Sequence, residues 1–389
     1  MKALVYGRKP ARFAASLVAG ALRPGSGVKV GPLSLRDVDP PELPGSDWVR
    51  VRPRLSGICG SDLATLDGKS SRYFEPIVSF PFVPGHEVVG ELDDGSRVVV
   101  IPVLHCEVRG INPVCEACAS GQVNRCERLA FGHIEPGLQC GYCESTGGGW
   151  STLMVAHRSQ LVPVPDDLSD EAAVLVEPTA CAVHAANVVR ATAPDAPSRV
   201  AVIGSGTLGL LTIAALSRLA STTEIIATAK HPEQKRLARE LGADVVTDPG
   251  TLERTIRSAT GSMMLGGQLT GGTSQVVDCV GSDESLRQAL RTVAPGGTVH
   301  LVGMPGVTTL DLTSVWHREV ALRGCYAYEP ADFPTAIELV RELQLERLLS
   351  QTYTLDRYED AVAHAASAGA RGAVKIAFDL RGERERKHL

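Results

Sequence analysis

Arg199-Val-Ala-Val-Ile-Gly204-Ser-Gly206-Thr207-Leu208-Gly209 is the stretch from which the fold can be read. Val200 to Ile203 are apolar without alternation, as suits a strand buried on both faces, and an Ala- and Leu-rich run after Gly209 suits a helix. A lone Gly-x-Gly-x-x-Gly carries little weight. One that ends a strand and opens a helix is a dinucleotide fingerprint: Gly204 and Gly206 permit a tight turn and close approach to a pyrophosphate, and Gly209 lets the helix pack on the sheet. The uncharged run Val200 to Ser217 is long enough to imitate a membrane span, but its glycines break it into strand, turn and helix.

Strand-like runs recur on the C-terminal side at Glu224 to Thr228, Asp244 to Thr247, Gln275 to Val280 and Thr298 to Val302. With helices between them they predict a doubly wound parallel sheet over residues 184–322. Gly266-Gly-Gln-Leu-Thr-Gly-Gly reads as a flexible loop or insertion. The cofactor is expected on Gly204, Gly206, Thr207, Leu208 and Gly209, at Thr228, Ala229, Lys230 and His231, and at Val280 and Val302. NAD-binding sheets place an acidic residue about twenty positions beyond the last fingerprint glycine, on the ribose 2′-hydroxyl. Here that count reaches Ala229, with no carboxylate in the segment. Thr228 and Lys230 offer a donor and a cation and His231 can add a second, so NADP is expected in preference to NAD.

On the N-terminal side, Leu55 to Gly90 opens with Ser56-Gly-Ile-Cys59-Gly-Ser61-Asp62 and closes with Gly85-His86-Glu87-Val-Val-Gly90. Cys59, His86 and Glu87 offer a thiolate, an imidazole and a carboxylate, three ligand types that Zn²⁺ accepts in a site with an open fourth position. Together the two fragments resemble the catalytic-zinc signature of the zinc-dependent medium-chain alcohol dehydrogenases. That resemblance implies a GroES-like, partly open β-barrel catalytic domain joined to a Rossmann dinucleotide-binding domain. It also implies zinc and a nicotinamide as cofactors. Ser61 matches the family hydroxyl that takes the substrate proton, and Asp62 is expected to orient His86. The relay histidine that some members carry three residues after the serine is Ala64 here, so the outer proton path must differ or run through water.

Cys106, Cys115, Cys118 and Cys126 are four thiolates within one loop, a set that suits a closed tetrahedral structural zinc. They resemble the structural-zinc lobe of the same family, with a longer first gap that makes Cys106 the departure from its pattern. Cys140 and Cys143 form a further Cys-x-x-Cys that the family does not require; packed thiols, a redox pair or a substitute ligand are the readings open to it. In Val176-Glu177-Pro-Thr, Glu177 matches the extra carboxylate that polyol, threonine and sugar dehydrogenases bring to the catalytic zinc; a helix-start Glu beside Pro is its plain alternative. The catalytic domain is expected over 1–183, completed by 323–389.

The chain has 389 residues, 44% hydrophobic and 21% charged, enough for two cores. A net charge of −5 gives no reason to expect nucleic acid or an anionic membrane as a partner. Thiolate ligands need a reducing compartment, so the cytoplasm is expected, although Lys2, Arg8, Lys9 and Arg12 before Phe13 to Leu22 imitate a secretory signal. Residues 20–46 read as irregular connections with one short strand, and Arg381 to Lys387 as a solvated tail.

The expected reaction is hydride transfer between an alcohol, secondary and polyol- or sugar-like, and the nicotinamide, or its reverse as a carbonyl reductase. A non-catalytic zinc- and dinucleotide-binding protein is the competing class, and turnover separates the two. A small-molecule substrate and a homodimer or homotetramer are the expected partners.

Overall fold

Ser198–Ile203 lies inside a six-stranded, wholly parallel sheet in the computed structural model, which describes residues 1–192, 198–220 and 222–382. The strand order is Val245–Thr247, Thr222–Thr228, Ser198–Ile203, Thr273–Asp278, Val293–Leu301, Ala321–Gly324. The order reverses between Ser198–Ile203 and Thr273–Asp278, the topological switch point at which such sheets bind nucleotides. Thr207–Leu219, Pro232–Glu240, Leu252–Thr260 and Asp283–Thr292 are the longer connecting helices. Ala201, Ile203, Ile226, Val276 and Val299 bury the apolar side chains of four adjoining strands in one cluster with Leu252, Ile256, Leu286 and Leu290 from two helices. The run 200–217 is therefore strand, turn and helix, and no described helix is long and apolar enough to cross a membrane.

The chain divides into two compact units: Met1–Glu177 with the chain from Glu329 onward, and Pro178–Tyr328. The first unit is built on a mostly antiparallel sheet ordered Leu349–Tyr353, Lys375–Asp379, Trp48–Gly57, Val88–Glu91, Arg97–Val100, Leu161–Pro163, with Met154–His157 also paired to Trp48–Gly57. Pro53 cannot donate to the ladder, and the register slips between Pro53 and Leu55. The C-terminal strand Lys375–Asp379 joins this sheet antiparallel to the end of Trp48–Gly57, so the last part of the chain completes the first unit.

Three local expectations are corrected. Residues 20–46 contain the expected short strand, Leu33–Asp37, paired with Lys2–Tyr6, but are otherwise more ordered than their Pro and Gly content suggests: helix Pro10–Leu22 runs into them and a short helix Gly27–Val30 follows. The ordering comes from buried Asp67, whose carboxylate accepts the backbone N–H groups of Gly25 and Gly27. The glycine-rich segment at 266 is the turn of a small hairpin, Met264–Leu265 with Gln268–Leu269. Gly266 and Gly267 both take positive φ there (57° and 81°), as a two-residue hairpin turn demands. Arg381 is not solvated but 7% exposed, bonded to Asp379 and paired with Glu171, while residues 383–387 of that tail lie outside the described residues.

Candidate active site

Strand Trp48–Gly57 delivers Cys59 to the start of the short helix Gly60–Leu66. The Cys59 N–H donates to Asp62 Oδ2 at 2.9 Å, which pins the Asp62 carboxylate under the turn. Asp62 is 1% exposed and turns Oδ1 towards His86 Nδ1 at 3.5 Å. A proton on Nδ1 facing that carboxylate would leave the Nε2 lone pair for a metal. Burial works against a charge on His86, yet Asp62 and Cys59 outweigh it and hold the imidazole well above its ordinary pKa, so a metal would bind there by displacing the Nε2 proton. His86 can reach this place because Gly85 adopts φ 97°; a Cβ there would also overlap the Trp150 ring.

The ligand atoms of Cys59, His86 and Glu87 all lie within 4.8 Å of one another, and two of the three residues are buried. A thiolate, an imidazole and a carboxylate at that spacing fit one zinc ion. Glu177, 5% exposed in helix Val176–Thr192, is not one of the three, although its charge acts on Lys375 nearby.

Lys375 was not singled out in the sequence. It sits in the wholly buried strand Lys375–Asp379, where its ammonium pairs with Glu87 and donates to the Ile58 carbonyl at 3.1 Å. Burial opposes its charge, and Glu87, Cys59 and Glu177 together hold it above the ordinary lysine range. Gly57 makes room for the pair: a Cβ there would overlap Glu87 Oε2 and stand 2.8 Å from Lys375 Cε. The available signal was one lysine inside the apolar run Ala373-Val-Lys-Ile-Ala-Phe.

Tyr142, between the two cysteines of the extra Cys-x-x-Cys, is the second residue missed. Its ring packs 6.0 Å from the His86 ring and 5.3 Å from Phe82, and its hydroxyl lies 3.4 Å from Asp62 Oδ1 and 3.2 Å from Thr65 Oγ1. Cys140 and Cys143 themselves are fully buried and free, bonding to Gln160 Nε2 and to the Glu135 carbonyl.

Cys106, Cys115, Cys118 and Cys126 bring their sulfurs within 4.8 Å of one another, with Cys106 Sγ and Cys126 Sγ 3.7 Å apart. Zn–S bonds of about 2.3 Å in a tetrahedron separate sulfurs by about 3.8 Å, so the four fit a closed zinc site. The long first gap does not remove Cys106 from the cluster. It instead supplies Arg109, fully buried, whose guanidinium donates to the carbonyls of Leu104, Phe131, Ile134, Glu135 and Gly137 and so ties the lobe to the loop that follows it.

In the second unit, Gly204 takes φ 93°, and a Cβ on Gly209 would overlap the Gly204 carbonyl, so the helix Thr207–Leu219 can sit tightly on the turn. The Gly204 N–H donates to Thr228 Oγ1 at 2.8 Å and the Ser205 hydroxyl to the Thr228 carbonyl at 2.7 Å. Thr228 is thus buried and bonded to the turn, Ala229 is buried, Lys230 is exposed, and His231 is half-buried. Asp278 Oδ1 accepts the N–H groups of Val280 and Gly281, fixing the loop that carries Val280 beside Gly204. Val302 lies just past the end of the next strand, its N–H bonded to the Asp278 carbonyl.

With both sites described, the comparisons bear on them directly. A family model for the alcohol dehydrogenase GroES-like domain matches residues 45–166, and one for zinc-binding dehydrogenase matches 207–342. The chain belongs to the zinc-dependent alcohol dehydrogenase family. It is similar to an L-idonate 5-dehydrogenase of Vitis vinifera, 28% identical over 352 residues (85% of this chain, 88% of that one), and to a sorbitol dehydrogenase of Arabidopsis thaliana, 27% identical over 373 residues (91% and 92%). A solved structure from Sinorhizobium meliloti 1021, bound to NADP, superposes with a TM-score of 0.71 at 26% identity, covering 91% of this chain and 97% of that one. This alcohol dehydrogenase is an oxidoreductase that uses a nicotinamide cofactor, in the polyol branch of the family, with a GroES-like catalytic domain and a Rossmann domain.

Proposed function

We propose that this dehydrogenase oxidises a secondary alcohol of a polyol or sugar acid with NADP, at a zinc held by Cys59, His86 and Glu87, with Glu177 as an exchangeable further ligand. The observation that carries the reading is the close cysteine–histidine–glutamate triad, with buried His86 and Glu87 and with Asp62 behind His86. When bound, zinc supplies Lewis-acid polarisation of the substrate oxygen and the nicotinamide supplies the hydride-accepting carbon. Ser61, half-buried two residues beyond Cys59, takes the substrate hydroxyl proton. Asp62 keeps His86 in the tautomer that binds metal. Lys375 offsets the negative charge that Cys59, Glu87 and Glu177 concentrate in one place, so that the site is not too anionic to bind an alcohol losing its proton. Cys106, Cys115, Cys118 and Cys126 would hold a second, structural zinc. The names of the idonate and sorbitol relatives support the polyol class.

NADP preference rests on the absence of any carboxylate where strand Thr222–Thr228 ends and on Lys230 standing exposed there. Ala229→Asp should shift preference towards NAD, and Lys230→Ala should weaken NADP alone. Metal analysis with steady-state kinetics on sorbitol, idonate and simple secondary alcohols, using both cofactors, tests the whole reading; no turnover of any, or a clear wild-type preference for NAD, counts against it. A homodimer or homotetramer is part of the reading, supported by the edge strand Ala321–Gly324, all four residues of which are exposed, and by Trp316 at 79% exposure beside it in the chain. The cytoplasm is the proposed compartment, since the thiolates of Cys59, Cys106, Cys115, Cys118 and Cys126 need reducing conditions to hold metal.

A further inference from the structure

We infer that helix Pro10–Leu22 lies flat on an anionic membrane surface and presses an apolar face into the lipid. The helix stands between strands Lys2–Tyr6 and Leu33–Asp37, in the run whose basic start and apolar body imitate a secretory signal. A surface helix ordinarily turns its apolar stripe to the core. This one does the reverse. Phe13, Leu17, Val18 and Leu22 follow the helical i, i+4, i+5, i+9 spacing and are 40%, 45%, 63% and 84% exposed, with exposed Ala14 and Ala21 between them. The residues it buries are Ser16 and Gly20.

Packing fixes this inversion. A Cβ on Gly20 would stand 2.5 Å from both Cβ and Cγ of Asp67, so no larger residue fits there. Lys69 Nζ donates to the Gly20 carbonyl at 3.0 Å and the Ser26 hydroxyl to the Ala19 carbonyl at 2.7 Å, while Asp67 holds Gly25 and Gly27 just beyond the helix. Turning the helix to bury Leu17 or Leu22 would drive a leucine into the place that only glycine fits. The apolar face is therefore built to point outward, and its burial remains available to whatever covers it.

Charge indicates the occupant. Residues 7–31 contain Arg8, Lys9, Arg12, Arg23 and Lys29, all exposed, and no Asp or Glu. Asp67 beneath the helix is buried and pairs with Lys69 at 3.6 Å, so it does not cancel them. The net charge of −5 for the whole chain conceals this local excess. Cations at both ends of an exposed Phe, Leu and Val face suit a helix in the headgroup region, where apolar burial and attraction to anionic lipid add. A second copy has no carboxylate in the same segment to meet these cations, so pairing this face with itself would set like charges together. The helix has 13 residues and is about 20 Å long, short of the roughly 30 Å hydrocarbon core, so it lies on the bilayer and does not cross it.

The test is flotation of the full chain with vesicles of phosphatidylcholine alone and of equal parts phosphatidylcholine and phosphatidylglycerol. The mixed vesicles should bind at least about tenfold more tightly than the neutral ones. That binding should weaken as salt rises from about 0.1 M to about 1 M and the Debye length shrinks from about 10 Å to about 3 Å. Val18→Ser with Leu22→Ser, and separately Arg8→Gln with Lys9→Gln and Arg23→Gln, should each weaken binding to mixed vesicles about tenfold or more. These side chains are exposed, so both variants should keep the wild-type urea midpoint. The readout is binding and not turnover, so it stands apart from the dehydrogenase assignment. Failure of the wild type to float with mixed vesicles overturns the inference. So does full binding by the Val18 and Leu22 variant, for then the cations alone attract and no apolar face enters the lipid. If the wild type ignores vesicles and that variant lowers the mass of the assembly in light scattering, the face joins copies of the chain and the membrane reading falls.

Discussion

At the scale of single residues, the catalytic unit depends on a few side chains whose neighbours leave them little freedom. Cys59 supplies the thiolate of the triad, whereas the fingerprint glycines belong to the other unit. Cys59→Ala should therefore abolish turnover and release one zinc equivalent while leaving NADP affinity within about twofold; near wild-type activity after that loss would contradict the mechanism. Lys375 makes a different case. It is 2% exposed and its partner Glu87 is equally buried, so the pair is stable only as a pair. In the metal-free protein, Lys375→Met keeps most of the volume and strands the Glu87 carboxylate in the interior. A loss of about 3–5 kcal/mol is expected, read as a lower midpoint in urea at unchanged slope. Gly57→Ala should harm the same pair through overlap with Glu87 rather than through charge.

At the scale of elements, the cysteine lobe is a loop with little regular structure of its own: one four-residue helix, Glu116–Ala119, and one 3₁₀ turn, Val123–Arg125. Its order would rest on Arg109 and on a metal held by the four thiolates, since Ile111, Ala117 and Leu129 are the main apolar groups packed on the three buried cysteines. Cys115→Ser or Cys118→Ser should therefore lower Tm and solubility more than the rate constant of the remaining folded enzyme, because a closed four-thiolate site contributes folding free energy directly. A variant that stays stable and metal-replete yet inactive would show that the lobe has another role. The Gly60–Leu66 helix illustrates the opposite balance. It is too short to be stable alone, and the Cys59–Asp62 capping pair together with Thr65 bonding to the Ser61 carbonyl holds it where Cys59 and Ser61 must stand.

At the scale of the whole molecule, Asp170 gathers the ends of the first unit. It is 6% exposed and meets Arg54 from strand Trp48–Gly57, Arg97 from Arg97–Val100 and Arg381 from the end of the described chain. Burial pushes its carboxyl up, but the three guanidinium groups outweigh burial and hold it below the ordinary value of 3.8. A carboxyl with a depressed folded pKa binds fewer protons folded than unfolded. Its stabilisation is thus complete above about 3.8 and is lost as pH falls through the lower folded value. Asp170→Asn should lower stability at neutral pH, and below pH 3.8 the gap from wild type should narrow. Urea titrations at a series of pH values measure this; a gap that stays constant would mean that the carboxylate charge is not what ties the unit together.

The sequence by itself determined the parts that are encoded in neighbouring residues. The fingerprint from Gly204 to Gly209 works because a turn, an approach to phosphate and a helix contact all need glycine within six positions. The Cys115–Cys118 spacing likewise presents two thiolates from one turn of chain, and the strands of the parallel sheet are legible because each is an unbroken apolar run. What the tertiary structure decided lies in pairs that share no local pattern. Tyr142 reaches Asp62 across 80 positions, and Lys375 reaches Ile58 across 317. Asp67 orders Gly25 from 42 positions away, which is why a segment rich in turn residues became helix and strand. A lone lysine in a strand or a tyrosine between two cysteines has no chemistry until folding brings a buried carboxylate or a second hydroxyl against it. Local spacing therefore pointed to the candidate metal and cofactor ligands, and only the packed chain showed which buried groups stand against them.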